Sequence, residues 1–216
     1  MIKRELYMNR IRPFIGGELI KVMTGIRRSG KSVMLELIKE ELAEAGVAPS
    51  QMISINFEDM RYSHLQTATA LHDEIIKRAE GIEGKAYLFF DEIQEVEGWE
   101  KCVNSLRVAL DCDIYITGSN AKLLSGELAT YIGGRYVEFV IYPFSFAEFL
   151  ELYHTIAPSD SIQQCFQKYL LAGGMPYLAN LRYEEEPSRQ YLTDLFNSVQ
   201  LKDIVKPVSY THLTLP

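Results

Sequence analysis

The octapeptide Gly25-Ile26-Arg27-Arg28-Ser29-Gly30-Lys31-Ser32 constrains this 216-residue chain more than any other stretch. It fits G-x-x-x-x-G-K-[ST], a loop built to hold phosphate. Ahead of it, Leu19-Ile20-Lys21-Val22-Met23-Thr24 reads as a short buried strand, and behind it Ser32 to Ala45 reads as a helix. Strand, glycine loop, helix is the context in which the motif has meaning. Gly25 and Gly30 let the backbone turn and approach an anion with no Cβ in the way. The loop N–H groups and the helix start then form an anion nest. Lys31 adds a mobile positive charge for the β- and γ-phosphates, and the Ser32 hydroxyl is placed to ligate Mg²⁺.

A second motif follows. Ala86-Tyr87-Leu88-Phe89-Phe90-Asp91-Glu92 is too short and too apolar for a surface helix. It reads as a strand covered on both faces, as in a parallel sheet. In such sheets ligands gather at the carboxyl ends of the strands, which sends Asp91 toward the metal beside Ser32. Glu92 is then the residue to polarise a water for attack on the γ-phosphate. Ser119-Asn120, after the strand Ile114-Tyr115-Ile116-Thr117, end at the same edge and offer a hydroxyl and an amide to that water or phosphate. Both also suit a helix N-cap. Asn56 ends another strand and is a candidate partner for Glu92 when nucleotide is absent. Arg135, in Gly133-Gly134-Arg135, is either a surface arginine or a guanidinium that reaches a neighbouring subunit's phosphate.

Strands at 19–24, 52–57, 86–92, 114–117 and 136–141 alternate with helices at 32–45, 67–79 and 99–110. That alternation predicts an α/β fold on a mainly parallel sheet. Beyond Pro143 the pattern turns helical, over 145–153, 162–171 and 188–205. Ile2, Leu6, Met8, Ile11 and Phe14 predict a short amphipathic helix ahead of Gly16-Gly17, its basic side read as a solvated face or, alternatively, a contact for nucleic acid or the nucleotide base.

Net charge of −7 argues against a surface built throughout to grip nucleic acid. Cys102, Cys112 and Cys165 are odd in number and widely spaced, so a disulfide framework or zinc site is not expected and a reducing cytoplasm is. His64, His72, His154 and His212 do not cluster with carboxylates. No apolar run reaches membrane-span length, and charged residues interrupt any signal-like segment at the N-terminus.

The order GIRRSGKSVML, INFED, LFFDEIQEVEGWE, YITGSNAKLLS, GGRYVEFVIYPFSFAEFL, YLLAGGMPYL is similar to prokaryotic ATPases of the AAA+ superfamily. It resembles those whose AAA domain precedes a restriction-endonuclease-like C-terminal domain. Arg27-Arg28, Gln94, Trp99 and Pro143-Phe144-Ser145-Phe146 belong to the likeness, which runs over about residues 2–206. It implies a P-loop NTPase sheet of five strands in the order 5-1-4-3-2. It implies ATP and Mg²⁺ as cofactors, Walker A at 25–32, Walker B at Asp91-Glu92 and a sensor near Ser119 or Asn120. It also gives Arg135 weight as the family's Gly-Arg position. The domains expected are a core over 1–150 and a helical, winged-helix-like region over 151–206. The last ten residues, 207–216, resemble translated adapter sequence and are expected not to be native, which implies a missing C-terminal domain.

The resulting expectation is a Mg²⁺-dependent ATPase whose hydrolysis moves the helical region, with a homo-oligomer allowed and no membrane partner. A nucleotide-gated module that binds DNA or a protein is the alternative. A small-molecule kinase fits less well, because the paired acids suit water activation.

Overall fold

The computed structural model describes residues 2–118 and 132–199. It divides into two compact units, Met1–Tyr142 and Pro143–Pro216.

The first unit is organised on five strands, β1 (Ile20–Thr24), β2 (Met52–Asn56), β3 (Ala86–Asp91), β4 (Cys112–Thr117) and β5 (Tyr136–Val140). They form one sheet in the order β2-β3-β4-β1-β5, the order expected from the resemblance, and every neighbouring pair is parallel. Parallel strands need crossovers, and helices supply them on both faces. Helices α1 (Glu5–Ile11) and α2 (Lys31–Glu44) cover one face, and α3 (Ala68–Ala79) with α4 (Trp99–Ala109) cover the other.

Strand alternation assigns the core to its two sides. Leu88, Phe90, Ile114, Ile116, Ile20 and Val22 pack with Leu71 and Ile75 of α3 and Val103 and Leu106 of α4. Phe89, Tyr115 and Met23 point the other way, onto Met8 and Ile11 of α1 and Met34 and Ile38 of α2. The Phe89 and Tyr115 rings stack with centroids 4.8 Å apart. Thr67 caps α3 by accepting from Ala70 N at 3.3 Å, so that helix starts where the sequence pattern placed it.

Two charged residues lie inside this core. The side chains of Lys21 and Asp113 have no solvent exposure, and the ammonium donates to the Asp113 carboxylate. The other carboxylate oxygen accepts from Gly16 N at 2.6 Å and from the Tyr115 hydroxyl at 2.7 Å. Burial pushes the Lys21 ammonium below its ordinary range, with Asp113 pulling the other way. Both residues occupy the second position of their strands, the sheet edge away from the glycine loop.

The second unit contains α5 (Phe146–Tyr153), α6 (Ile162–Ala172) and α7 (Glu185–Val199). Ser145 with Glu148 and Ser161 with Gln164 form capping boxes that start α5 and α6. Phe149, Tyr153, Cys165, Leu178 and Tyr183 make its core. Helix α7 begins before the Ser188 expected from the sequence. Pro187 lies in its first turn, where no intrahelical donor is needed. The proposed non-native tail lies outside the described residues.

Candidate functional site

The glycine loop occupies the carboxyl edge of the sheet, between the end of β1 and the start of α2. Gly25 has φ +144 and Gly30 has φ +101, backbone values that favour glycine. A Cβ on Gly25 would stand 2.2 Å from the Ile141 carbonyl oxygen and 3.0 Å from Ser29 Oγ, so the loop closes tightly on the end of β5. Gly30 is the N-cap of α2 and no side chain caps that helix. The first N–H groups of a helix lack intrahelical acceptors, and here they face the loop.

Within the loop, Ser29 Oγ is buried and has no hydrogen-bond partner among the described residues. Lys31 is 6% exposed, and lysines are almost never buried without a charged partner. Its Nζ donates to the carbonyls of Gly25 and Ile26, each at 3.3 Å, and stands 4.0 Å from Glu92 Oε1. Ser32 is exposed in the first turn of α2. Ile26 and Arg28 are exposed, and Arg27 faces Glu58 at 3.8 Å.

Asp91 ends β3 and is 7% exposed; the Thr117 hydroxyl donates to its Oδ1. That hydroxyl also accepts from Glu92 N at 3.0 Å. Thr117, the last residue of β4, therefore fixes both acids. Glu92 has φ 55, an uncommon value for a side-chain-bearing residue, and it precedes a 3-10 turn over Ile93–Glu95. The turn brings Gln94 back over Glu92, and Gln94 Nε2 donates to the Glu92 carboxylate.

Asn56 does not pair with Glu92. Its side-chain oxygen accepts from Glu58 N at 2.9 Å, an Asx turn that satisfies the amide locally. The partner comes from two residues downstream on the same chain, because the left-handed turn at Glu92 folds Gln94 onto it. Ser119 and Asn120 lie outside the described residues. Arg135 stands just before β5, and its carbonyl accepts from Ile20 N at the start of β1. Five strand residues, about 16 Å at ~3.3 Å per residue, separate that edge from the glycine loop. Its guanidinium donates to Asn104 at 3.0 Å. Arg135 is not brought to its own chain's loop.

The N-terminal segment corrects a second expectation. Its basic side is not simply solvated: Arg4 is 2% exposed. It donates to the Ser29 carbonyl at 3.0 Å and to the Tyr142 carbonyl at 2.8 Å, with its guanidinium 4.6 Å from the Tyr7 ring centroid. Tyr7 in turn accepts from Tyr142 N at 3.0 Å. Arg12 is held by Glu5 and Glu41. Thr117 and Arg4 carry no motif. The only trace of Thr117 in the sequence is a polar residue closing an apolar strand.

The donor set fits a nucleoside triphosphate with a small hard cation. A glycine cradle that a Cβ would fill, a lysine within it and a carboxylate on the same edge are present. Among the described residues no group of three or more His, Cys, Asp or Glu could hold a metal unaided. Mg²⁺ commonly takes one or two protein oxygens and completes its shell with phosphate and water, so the Ser32 hydroxyl and the Asp91 carboxylate are the groups that would hold it.

Fold and site together define a class: a P-loop nucleotide-binding domain of the AAA+ type, on a parallel 5-1-4-3-2 sheet. The profile of the AAA domain family matches residues 18–150, and the chain belongs to that family. It is 42% identical over 205 residues to an uncharacterized protein of Haemophilus influenzae, covering 94% of this chain and 50% of that one. It is 33% identical over 196 residues to an uncharacterized protein of Methanocaldococcus jannaschii, covering 87% and 42%. The chain thus spans half or less of the length of these relatives. Among solved structures, a mutant of RuvB from Thermotoga maritima is similar in fold. The TM-score is 0.51 at 14% identity, over 92% of this chain and 68% of that one. No described helix is long and apolar enough to cross a membrane.

Proposed function

We propose that the chain is the ATPase module of a longer protein, binding ATP with Mg²⁺ and hydrolysing it. One observation carries the reading: the loop lysine and the acid that follows Asp91 meet at 4.0 Å on the carboxyl edge of the sheet. Lys31 leaves Glu92 and the loop carbonyls to neutralise the β- and γ-phosphates. The N–H groups of residues 25–32 cradle them, and Ser32 and Asp91 hold the cation. Mg²⁺, when bound, would supply neutralisation of the phosphate charge. Glu92 accepts the proton of a water whose oxygen bonds to the γ-phosphorus while the bond to the bridging oxygen breaks, releasing ADP and phosphate. Asn120 orients that water. Arg135 serves a neighbouring copy's nucleotide, since its own loop is at the other sheet edge. The helical unit from Pro143 onward responds to the phosphate state and passes it to the rest of the longer protein.

The DNA- or protein-binding alternative draws on the basic N-terminal segment together with the helical region. Arg4 and Arg12 are paired within the chain, which leaves Lys3 and Arg10 as the exposed basic residues of that segment for such a contact. Phosphate release from ATP, with and without Mg²⁺ and DNA, tests the proposal. Lys31→Ala should abolish nucleotide binding, whereas Glu92→Gln should keep binding and cut turnover to a small residual rate measurable in a single turnover. Normal turnover by Glu92→Gln would remove Glu92 from the mechanism. Salt-steep DNA binding that ignores ATP would favour the alternative.

A further inference from the structure

We propose that Gln94 is the positioning residue for Glu92, holding the base in place once the loop lysine moves to phosphate. The proposal rests on Glu92 as the base. Among the described residues two side chains reach the Glu92 carboxylate: Lys31 at 4.0 Å, and Gln94 through an Nε2–H hydrogen bond. A γ-phosphate competes with the carboxylate for Lys31, whose contact with Glu92 is already long at 4.0 Å. When phosphate takes the lysine, Gln94 remains.

Three features single Gln94 out from an ordinary turn residue. Glu92 adopts the left-handed region at φ 55, which a side-chain-bearing residue does at a cost, and this turn folds Gln94 back onto it. Gln94 spends its donor on Glu92 while its own Oε1 is buried with no partner among the described residues. A purely structural amide would pair both ends, since buried polar atoms are normally satisfied. Finally, the Glu92 backbone N–H is already fixed by Thr117, so only the carboxylate needs holding, and Gln94 holds it.

The test is a double-mutant cycle on the full chain, using single-turnover hydrolysis of ATP. A hydrogen bond to a charged group is worth roughly one to two powers of ten in rate. Gln94→Ala should therefore lower kcat about tenfold or more, with KM for ATP changed less than about twofold. In a Glu92→Gln background the same substitution should change the residual rate less than about twofold, because Gln94 acts through the missing carboxylate. Gln94→Met, close in shape and without a donor, should behave like Gln94→Ala and serves where the smaller side chain disturbs folding. An unchanged kcat, a rise in KM alone, or an equal loss in both backgrounds overturns the proposal. Normal turnover by Glu92→Gln alone identifies failure of the base assignment instead, and the proposal falls with it.

Discussion

Asp113→Ala is the sharpest test of how this fold is held, because the site lies at the sheet edge away from the phosphate loop. Asp113 receives three donors: the Lys21 ammonium, Gly16 N–H and the Tyr115 hydroxyl. Removing it leaves an ammonium with no solvent exposure and no counter-charge. Breaking a buried ion pair from one side costs about 3–5 kcal/mol. At about 2–4 °C per kcal/mol for a domain of this size, the melting temperature should fall by about 6–20 °C. Trp99, the only tryptophan, is buried in the same unit, so its fluorescence during urea unfolding reports on that unit. The variant also has a pH signature. Burial lowers the Lys21 pKa, and without Asp113 nothing comparable pulls it back. Below the ordinary value of 10.5 the unfolded state then binds more protons than the folded state, so stability rises with pH. The deficit of the variant against wild type should shrink between about pH 7 and pH 10. A loss under about 1 kcal/mol, or a deficit that widens with pH, would refute the buried-pair argument.

Gly25→Ala places a Cβ 2.2 Å from the Ile141 carbonyl oxygen at φ +144; we expect a destabilisation of at least about 2 kcal/mol and lost binding of a fluorescent ATP analogue. Arg4→Met leaves the Ser29 and Tyr142 carbonyls without their guanidinium donor and should cost about 2–3 kcal/mol in urea unfolding and weaken ATP binding; Arg4→Lys, lacking the fork, should not restore either. Burial pushes the Cys102 thiol up to about 12 and the Cys112 thiol up to about 11, from 9.0, so native protein at mildly alkaline pH should resist iodoacetamide that labels the unfolded chain. Unfolded thiols ionise first, so this contribution is intact below about pH 9 and is lost as pH climbs toward the folded values.

The strands were legible because they rest on signals that survive in one dimension, whereas the sheet order came from the family resemblance. β3 reads as an unbroken apolar run because helices cover both its faces, and the glycine loop has a fixed spacing. What stayed hidden depends on contacts between residues far apart in sequence. Lys21 looked like one polar residue in a buried strand, and only the register of β1 against β4 supplies Asp113. Arg4 looked like part of a basic face, and only the path of α1 carries it to Ser29. The Asn56 expectation placed the residue correctly on the sheet edge, but an Asx turn claimed its side chain. Strand-end position fixes an edge, not a partner. Gln94 is two residues from Glu92, yet its approach depends on a left-handed backbone that no residue type announces.

The family match begins at residue 18, but the material under the phosphate loop does not. Tyr7, Met8 and Ile11 are packed into the same core layer as α2, and the Arg4 guanidinium ties the loop carbonyl of Ser29 to Tyr142. A fragment cut at the family boundary would keep every signature residue and lose the brace behind them. Excising this domain for biochemistry therefore means starting upstream of Arg4 and keeping fusion tags clear of it.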